Sequence, residues 1–281
     1  MSIGVVTDSA CDLPDDLAAK WGIEIVPLSI RFGDEELVDR EQLTTSEFWA
    51  RCAASPELPS TAAPSPGRFE QAYRRLAERG ATGILVVNLS GALSATMQSA
   101  ELAARDVAGD GLEVRVVDSR TVSLGLGTIA LACAERAAAG DDLDTLERVA
   151  GELVARTRVF GALDTLDNLR KGGRIGGAKA LLATALSIKP IIEVADGVVE
   201  PHGKQRTRSK ALAFLVDKVR SYAGRIENLA VLHADCSDVD VFVDQLRPFA
   251  PAEIVVGQIG PVIGAHAGRG TIGVAFQEAT P

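Results

Sequence analysis

The chain has 281 residues, 47% of them hydrophobic and 24% charged, which is enough apolar material for one large domain or two ordinary ones. Its net charge of −9 argues against general nucleic-acid binding, which needs a cationic surface, and against electrostatic docking on anionic lipids. No apolar stretch approaches the ~18 residues of a membrane span, and no signal peptide is apparent. We therefore expect a cytoplasmic protein.

Strands alternate with helices along the first half, which is typical of βαβ units around a parallel sheet. The predicted strands of this half are Ile3–Val6, Ile23–Ile30, Gly83–Leu89 and Val114–Val117. Segment 33–66 is less regular, and its prolines predict a loop over 55–67.

The second half combines helices with a hairpin, because Asp196-Gly197 lies between two β-branched runs. An apolar helix is predicted over Ala178–Ser187. The predicted strands of this half are Val159–Leu163, Pro190–Val194, Val198–Pro201, Leu229–His233, Ile254–Gln258 and Thr271–Phe276. We expect two α/β domains: residues 1–157 with a mainly parallel sheet flanked by helices, and residues 158–281 with a mixed sheet.

Two hydroxyl side chains lie where a small anion could bind. Ser94 follows a buried strand and precedes a helix, and free N–H groups at a helix start bind anions. Thr61 lies in a proline-stiffened loop. Each residue also has an ordinary structural interpretation. In that interpretation Ser94 is only a helix cap, since Ser is preferred there, and Thr61 only belongs to a surface loop, since such loops are commonly polar.

One histidine, His266, lies in the glycine-rich segment 260–271, where the backbone can approach a ligand closely. A structural His in a turn is the alternative. Basic residues cluster at Lys171–Arg174 and Lys204–Lys210, which suits a phosphate or an acidic partner, or simply a solvated surface. The four cysteines are far apart, without the spacing of a zinc site, so neither a metal nor a disulfide is expected.

Several segments, in this order along nearly the whole chain, resemble the DegV family. They are Thr7-Asp8-Ser9 with Asp12-Leu13-Pro14, Thr61-x-x-Pro64-Ser65, Leu93-Ser94-x-Thr96 with Gln98-Ser99-Ala100, Val117-Asp118-Ser119, Leu169-x-Lys171-Gly172-Gly173-Arg174, Ile188-Lys189-Pro190 and Gly264-x-His266-x-Gly268-x-Gly270. Ala62, Ala95 and Arg269 depart from the usual pattern of that family.

The resemblance implies a protein of phospholipid metabolism that has the two-domain EDD fold and holds a long-chain fatty acid, such as palmitate, between its domains. It places the carboxylate on Thr61 and Ser94, with His266 nearby. It implies no cofactor and no catalytic residue of its own. Better-known members, of the FakB type, present the acid to a separate ATP-dependent kinase that makes an acyl phosphate. The basic residues Arg170, Arg174 and Arg206 are then expected to face that kinase or the phosphate.

Two other functions are weighed against this one. A serine-dependent acyl hydrolase or acyltransferase would use Ser94 with His266, but the chain has no Gly-x-Ser-x-Gly elbow and no evident third residue to orient the histidine. A nucleotide- or sugar-phosphate-binding protein would need a phosphate-binding glycine loop. The chain lacks the Gly-x-x-x-x-Gly-Lys-[Ser/Thr] loop, and it has no Gly-x-Gly-x-x-Gly placed between a strand and a helix.

Overall fold

The computed structural model of the protein describes residues 2–55, 57–183 and 188–280. The strands of this part are β1 (Ser2–Asp8), β2 (Glu24–Val26), β3 (Ser29–Phe32), β4 (Glu35–Val38), β5 (Ser60–Ala62), β6 (Ala81–Asn88), β7 (Glu113–Asp118), β8 (Thr157–Ala162), β9 (Lys189–Ala195), β10 (Val198–Gln205), β11 (Ile226–His233), β12 (Val255–Gln258) and β13 (Ile272–Glu278). The helices are α1 (Asp15–Lys20), α2 (Thr45–Ala54), α3 (Pro66–Glu78), α4 (Thr96–Ala108), α5 (Leu124–Ala139), α6 (Leu143–Arg156), α7 (Asp167–Lys171), α8 (Arg208–Arg220), α9 (Val239–Leu246) and α10 (Pro261–Ala267).

These strands form three sheets. The first has four parallel strands in the order β2-β1-β6-β7. The second has six strands in the order β10-β9-β8-β13-β11-β12 and is mixed, because only β11 and β12 pair in parallel. A small antiparallel sheet, β4-β3-β5, completes the set. The expected α/β architecture, with a parallel sheet followed by a mixed one, is confirmed.

Helices α5 and α6 pack between the two large sheets. The outer face of the parallel sheet is covered by α3 and α4, and that of the mixed sheet by α8 and α9. The central core is shared, because Val5 and Leu85 of the parallel sheet belong to the same buried cluster as Val159 and Leu232 of the mixed one. The mixed sheet begins at Thr157, and the division into domains at 157/158 stays a prediction.

Local sequence explains several element boundaries. Thr44 and Glu47 form a capping box that starts α2, and Asp142 accepts a hydrogen bond from the N–H of Thr145 to start α6. The turn residues Asp196 and Gly197 both have positive φ, at 50° and 83°, as a two-residue hairpin turn requires. The predicted hairpin is therefore confirmed as β9–β10.

Two predicted elements were wrong in part. The single strand Ile23–Ile30 is two strands in different sheets, because Pro27 has no N–H for a ladder and the N–H of Leu28 bonds instead to the Ser9 hydroxyl at 3.1 Å. The predicted loop over 55–67 contains β5, which pairs with β3.

The predicted apolar helix Ala178–Ser187 is described only in part. Residues 184–187 lie outside the described residues, and the preceding stretch, Gly176–Ala183, is a 3₁₀ helix.

Candidate fatty-acid site

A cavity of about 200 Å³, here called the central cavity, lies between the mixed sheet and the segments that follow the strands of the parallel sheet. Its wall is mostly apolar and draws on both halves of the chain. Typical lining residues are Leu28, Leu89, Val159, Leu163, Ile192 and Val262. A slot of this kind suits an apolar chain, because each methylene moved out of water contributes about 0.8 kcal/mol.

The polar side chains on this wall include Thr61, Ser94, Arg174 and His266. The Thr61 hydroxyl lies 3.0 Å from Nε2 of His266. The Ser94 hydroxyl lies 2.9 Å from that of Thr96 and accepts a hydrogen bond from the N–H of Thr96 at 3.3 Å. The structure thus brings the three residues predicted from the sequence to the wall of one cavity.

Thr61 is held on a strand rather than in a loop. It lies in the middle of β5, directly opposite Ile30 of β3. Pro64, which follows closely, is buried. Because a strand fixes the direction in which its side chains point, the hydroxyl is aimed by backbone pairing and not only by the stiffness of nearby prolines.

His266 lies on a helix, which corrects the expectation of a glycine loop. Helix α10 begins at Pro261, which suits a first helical position, and the glycine turn at 268–270 only follows it. At Gly264 a side chain would meet the Phe48 and Trp49 rings at 2.8–2.9 Å, so this glycine serves close packing on α2. The indole of Trp49 also donates to the carbonyl of Ile259 at 3.2 Å, just before α10.

The imidazole of His266 is uncharged at neutral pH. Burial, together with the positive charge of Arg174, lowers the pKa of His266 to about 4. Among the described residues, its Nδ1 has no hydrogen-bond partner. Buried N–H groups without a partner are rarer than buried acceptors without one, so we assign the proton to Nε2, where it points at the Thr61 hydroxyl.

The three arginines predicted to face a partner separate into two groups. Arg174 is half-buried at the central cavity, where it donates to the carbonyls of Leu93 at 3.2 Å and Gly172 at 2.7 Å. Arg170 and Arg206 are exposed, and Arg170 pairs with Asp167 across one turn of α7. A partner-facing role stays a prediction for all three. The inward position of Arg174 was missed, since a Lys-Gly-Gly-Arg string alone does not show which way its arginine turns.

A second, open cleft adjoins the polar end of the central cavity. Thr61, Arg174 and His266 line both spaces, and the cleft adds Asn168, Lys171 and the segment 57–60. The polar end of the central cavity therefore lies beside a recess that carries Lys171 and Arg174 together with Glu57. Sequence analysis did not predict this cleft, because its walls come from segments about a hundred residues apart.

Comparison with known proteins identifies the family of this chain. A family model described as "Uncharacterised protein, DegV family" matches residues 2–279. The chain belongs to the DegV family. A DegV domain-containing protein of Mycobacterium tuberculosis is 40% identical over 280 residues, which are 98% of this chain and 96% of that protein.

Solved DegV structures share the whole fold. A DegV family protein of Thermus thermophilus, described by its fatty-acid binding, is 34% identical with a TM-score of 0.91, over 99% of this chain and 100% of that one. DegV of Bacillus subtilis, described as a fatty acid binding protein, is 28% identical with a TM-score of 0.86, over 99% of each chain. The resemblance to the DegV family is thus confirmed.

Three further findings concern the described residues of this DegV protein. In the described part of the chain no hydrogen bond joins Ser94 to His266, so the nucleophile–base contact of a serine hydrolase is not formed. Within the same residues, no group of three or more His, Cys, Asp or Glu side chains is placed to hold a metal ion, and no helix is both long and apolar enough to cross a bilayer.

Proposed function

We propose that this protein binds a long-chain fatty acid such as palmitate, with the acyl chain in the central cavity and the carboxylate on Thr61 and Ser94, close to His266. The observation that carries the proposal is the junction of an apolar slot with a cluster of hydrogen-bond donors. A carboxylate left unpaired in such a slot would be very costly. The fatty-acid binding described for the related Thermus and Bacillus proteins supports the same ligand class.

The head-group contacts follow from the donor inventory. His266 donates from Nε2 to the Thr61 oxygen, which leaves the Thr61 hydrogen free for the carboxylate. The Ser94 hydroxyl can turn from Thr96 to the ligand, because a hydroxyl rotates to suit its partner. Arg174 adds positive charge while two of its N–H groups remain on backbone carbonyls. Bonds to an ionised acceptor are stronger than bonds between neutral groups.

We further propose that a separate kinase phosphorylates the bound acid through the adjoining cleft. A carboxylate oxygen attacks the γ-phosphorus of ATP, the bond from that phosphorus to the β,γ-bridging oxygen breaks, and ADP leaves. Lys171 and Arg174 lie where they would attract the phosphate groups. The kinase supplies the ATP site, since the chain has no Gly-x-x-x-x-Gly-Lys-[Ser/Thr] loop and its Gly268-x-Gly270-x-x-Gly273 string runs into a strand instead of opening a helix.

Lipid extraction tests the ligand class. The protein is purified from bacteria without added lipid, extracted with solvent and examined by mass spectrometry, and it is also titrated with palmitate. We expect co-purified fatty acid or uptake of the added one. A protein that neither carries nor takes up a fatty acid would contradict the proposal.

Substitution of the hydroxyls tests the head-group contacts. We expect Thr61→Val and Ser94→Ala each to weaken palmitate binding by about 1–3 kcal/mol, the cost of a buried polar group that loses its partner. Ser65→Ala is the matched control, because Ser65 is an exposed hydroxyl near Thr61 that makes no capping hydrogen bond. Equal affinity in all three variants would remove the assignment.

The kinase step has its own test. The loaded protein is mixed with a bacterial fatty-acid kinase and MgATP, and the acyl phosphate is trapped with hydroxylamine. We expect Arg170→Glu and Arg206→Glu to reduce trapped product while palmitate affinity stays unchanged, because both side chains are exposed. Product formation equal to that of the unmodified protein would rule out these two residues as the kinase-facing surface.

A further inference from the structure

The backbone conformation at Gly172, at the end of α7, does not require a glycine. Its φ and ψ are −75° and −5°, which any residue adopts. Its neighbour Gly173 differs, because φ there is +72° and glycine is favoured. The absence of a side chain at position 172 therefore needs a reason other than conformation.

The reason is the space taken by His266. A β-carbon built on Gly172 would lie 2.4 Å from Nδ1 and 2.9 Å from Cε1 of the His266 ring, and 3.1 Å from the carbonyl oxygen of Asn168. Real β-carbons do not approach other atoms this closely. The His266 ring thus packs directly on the backbone at the end of α7, with Nε2 directed towards Thr61.

The backbone on each side of this contact is held in place. The N–H of Gly172 bonds to the carbonyl of Asn168 at 2.8 Å, and its own carbonyl accepts from Arg174 at 2.7 Å. On the other side, α10 is packed against α2 at Gly264, and the carbonyl of Ala265 accepts from the Asn168 amide at 3.3 Å. A side chain at position 172 must therefore move the His266 ring.

We propose that Gly172 is a positioning residue for the carboxylate site: by leaving out a side chain it allows the His266 ring to lie within hydrogen-bonding distance of Thr61. The role rests on the proposed function, since the group positioned is the one that receives the fatty-acid carboxylate. Gly172 lines the adjoining cleft and not the central cavity. Its effect on binding in the central cavity is transmitted through His266.

Affinity measurements on Gly172→Ala test this role. We expect its palmitate dissociation constant to rise about tenfold or more, as overpacking of a tight contact would produce. Gly151→Ala, on an exposed face of α6 with open space around it, is the matched control and should bind as the unmodified protein does. Unchanged affinity in Gly172→Ala would overturn the proposal.

A double-mutant cycle separates positioning from general damage. His266→Ala removes the ring that the new methyl would strike, so in that background Gly172→Ala should change affinity by less than about twofold. Losses that simply add would overturn the proposal. If Gly172→Ala alone fails to fold, recovery of folding in the double variant supports the proposal, and failure of both variants contradicts it.

Nitrogen NMR of the ligand-free protein gives a readout that does not depend on binding. The His266 ring signals should shift in Gly172→Ala and stay in place in Gly151→Ala. Unmoved signals would overturn the positioning role even if palmitate binds. If the unmodified protein binds no fatty acid, the proposed function fails, while the ring signals still decide whether Gly172 positions His266.

Discussion

At the scale of single residues, the ionisation of His266 connects the site to pH. Its pKa is lowered to about 4 because the ring is buried and lies near Arg174. The imidazole is therefore neutral when the site is empty at pH 7. A carboxylate bound beside the ring would add a negative charge, and this charge would raise the pKa of His266 by favouring the protonated imidazole.

We predict that palmitate raises the pKa of His266 from about 4. Palmitate binding should then be accompanied by the uptake of a fraction of a proton, and this fraction should grow as the pH falls from 7 towards the raised pKa. NMR titration of the ring with and without palmitate measures the change. His202, which pairs with Glu193 on another part of the mixed sheet, is the internal control and should titrate equally in both states. A His266 pKa that palmitate leaves unchanged would place the carboxylate elsewhere.

At the scale of elements, strand β8 forms part of the wall of the central cavity. Gly161 lies within β8 and lines the cavity. A β-carbon there would make only ordinary contacts, at 3.5–3.8 Å, with Ile192 and Leu163. A larger side chain at this position would fit the strand but would occupy space that we assign to the acyl chain.

We therefore expect Gly161→Leu to discriminate against long acyl chains. The leucine would displace methylenes worth about 0.8 kcal/mol each, so palmitate should lose at least about tenfold more affinity than laurate, which is four methylenes shorter. Competition binding with both acids measures the ratio. Gly151→Leu, placed in open space on α6, is the control and should leave the ratio unchanged. An equal loss for both acids would indicate general damage rather than a shortened cavity.

At the scale of the whole molecule, the buried carboxyl group of Asp12 ties distant segments together. It accepts hydrogen bonds from the Ser123 hydroxyl at the start of α5 and from the N–H of Gly260, just before α10, at 2.5 and 2.8 Å. Ser123 also lines the central cavity and has a positive φ of 53°. Asp12 thus holds the helix that carries His266 against the first half of the chain.

Burial raises the pKa of Asp12 from 3.8 to about 7, and that of Asp8 and Asp39 to about 6. A raised folded-state pKa contributes stability that is fully present below about pH 4 and is lost as the pH rises through about 7. The lowered pKa of His266 has the opposite effect, because it makes the folded protein more stable as the pH rises from about 4 to 6.5. We predict that Asp12→Asn, which keeps the shape and stays neutral, flattens the loss of stability between about pH 4 and 7.

Urea unfolding at several pH values measures this effect. Asp12→Ala should lose about 1–3 kcal/mol through the two abandoned hydrogen-bonding groups, whereas Asp16→Asn, on an exposed carboxylate, is expected to follow the unmodified protein. A pH dependence of Asp12→Asn identical to that of the unmodified protein would show that Asp12 does not titrate in this range.

The sequence by itself determined the fold class, most of the strands and the residue types of the site. Alternating strands and helices, the Asp196-Gly197 turn and the cap at Asp142 are local signals, because each depends on the backbone preferences of a few adjacent residues. Thr61, Ser94 and His266 could be named in advance through the family resemblance, and they do line one cavity.

Only the tertiary structure decided how those groups face one another. The pairing of β5 with β3, the inward turn of Arg174 and the packing of His266 on Gly172 each depend on contacts between segments far apart in the chain. Residue order cannot specify such contacts, since their geometry is set by the packing of whole sheets and helices around a shared core. The resemblance indicated which residues meet, and the fold determined the distances at which they meet.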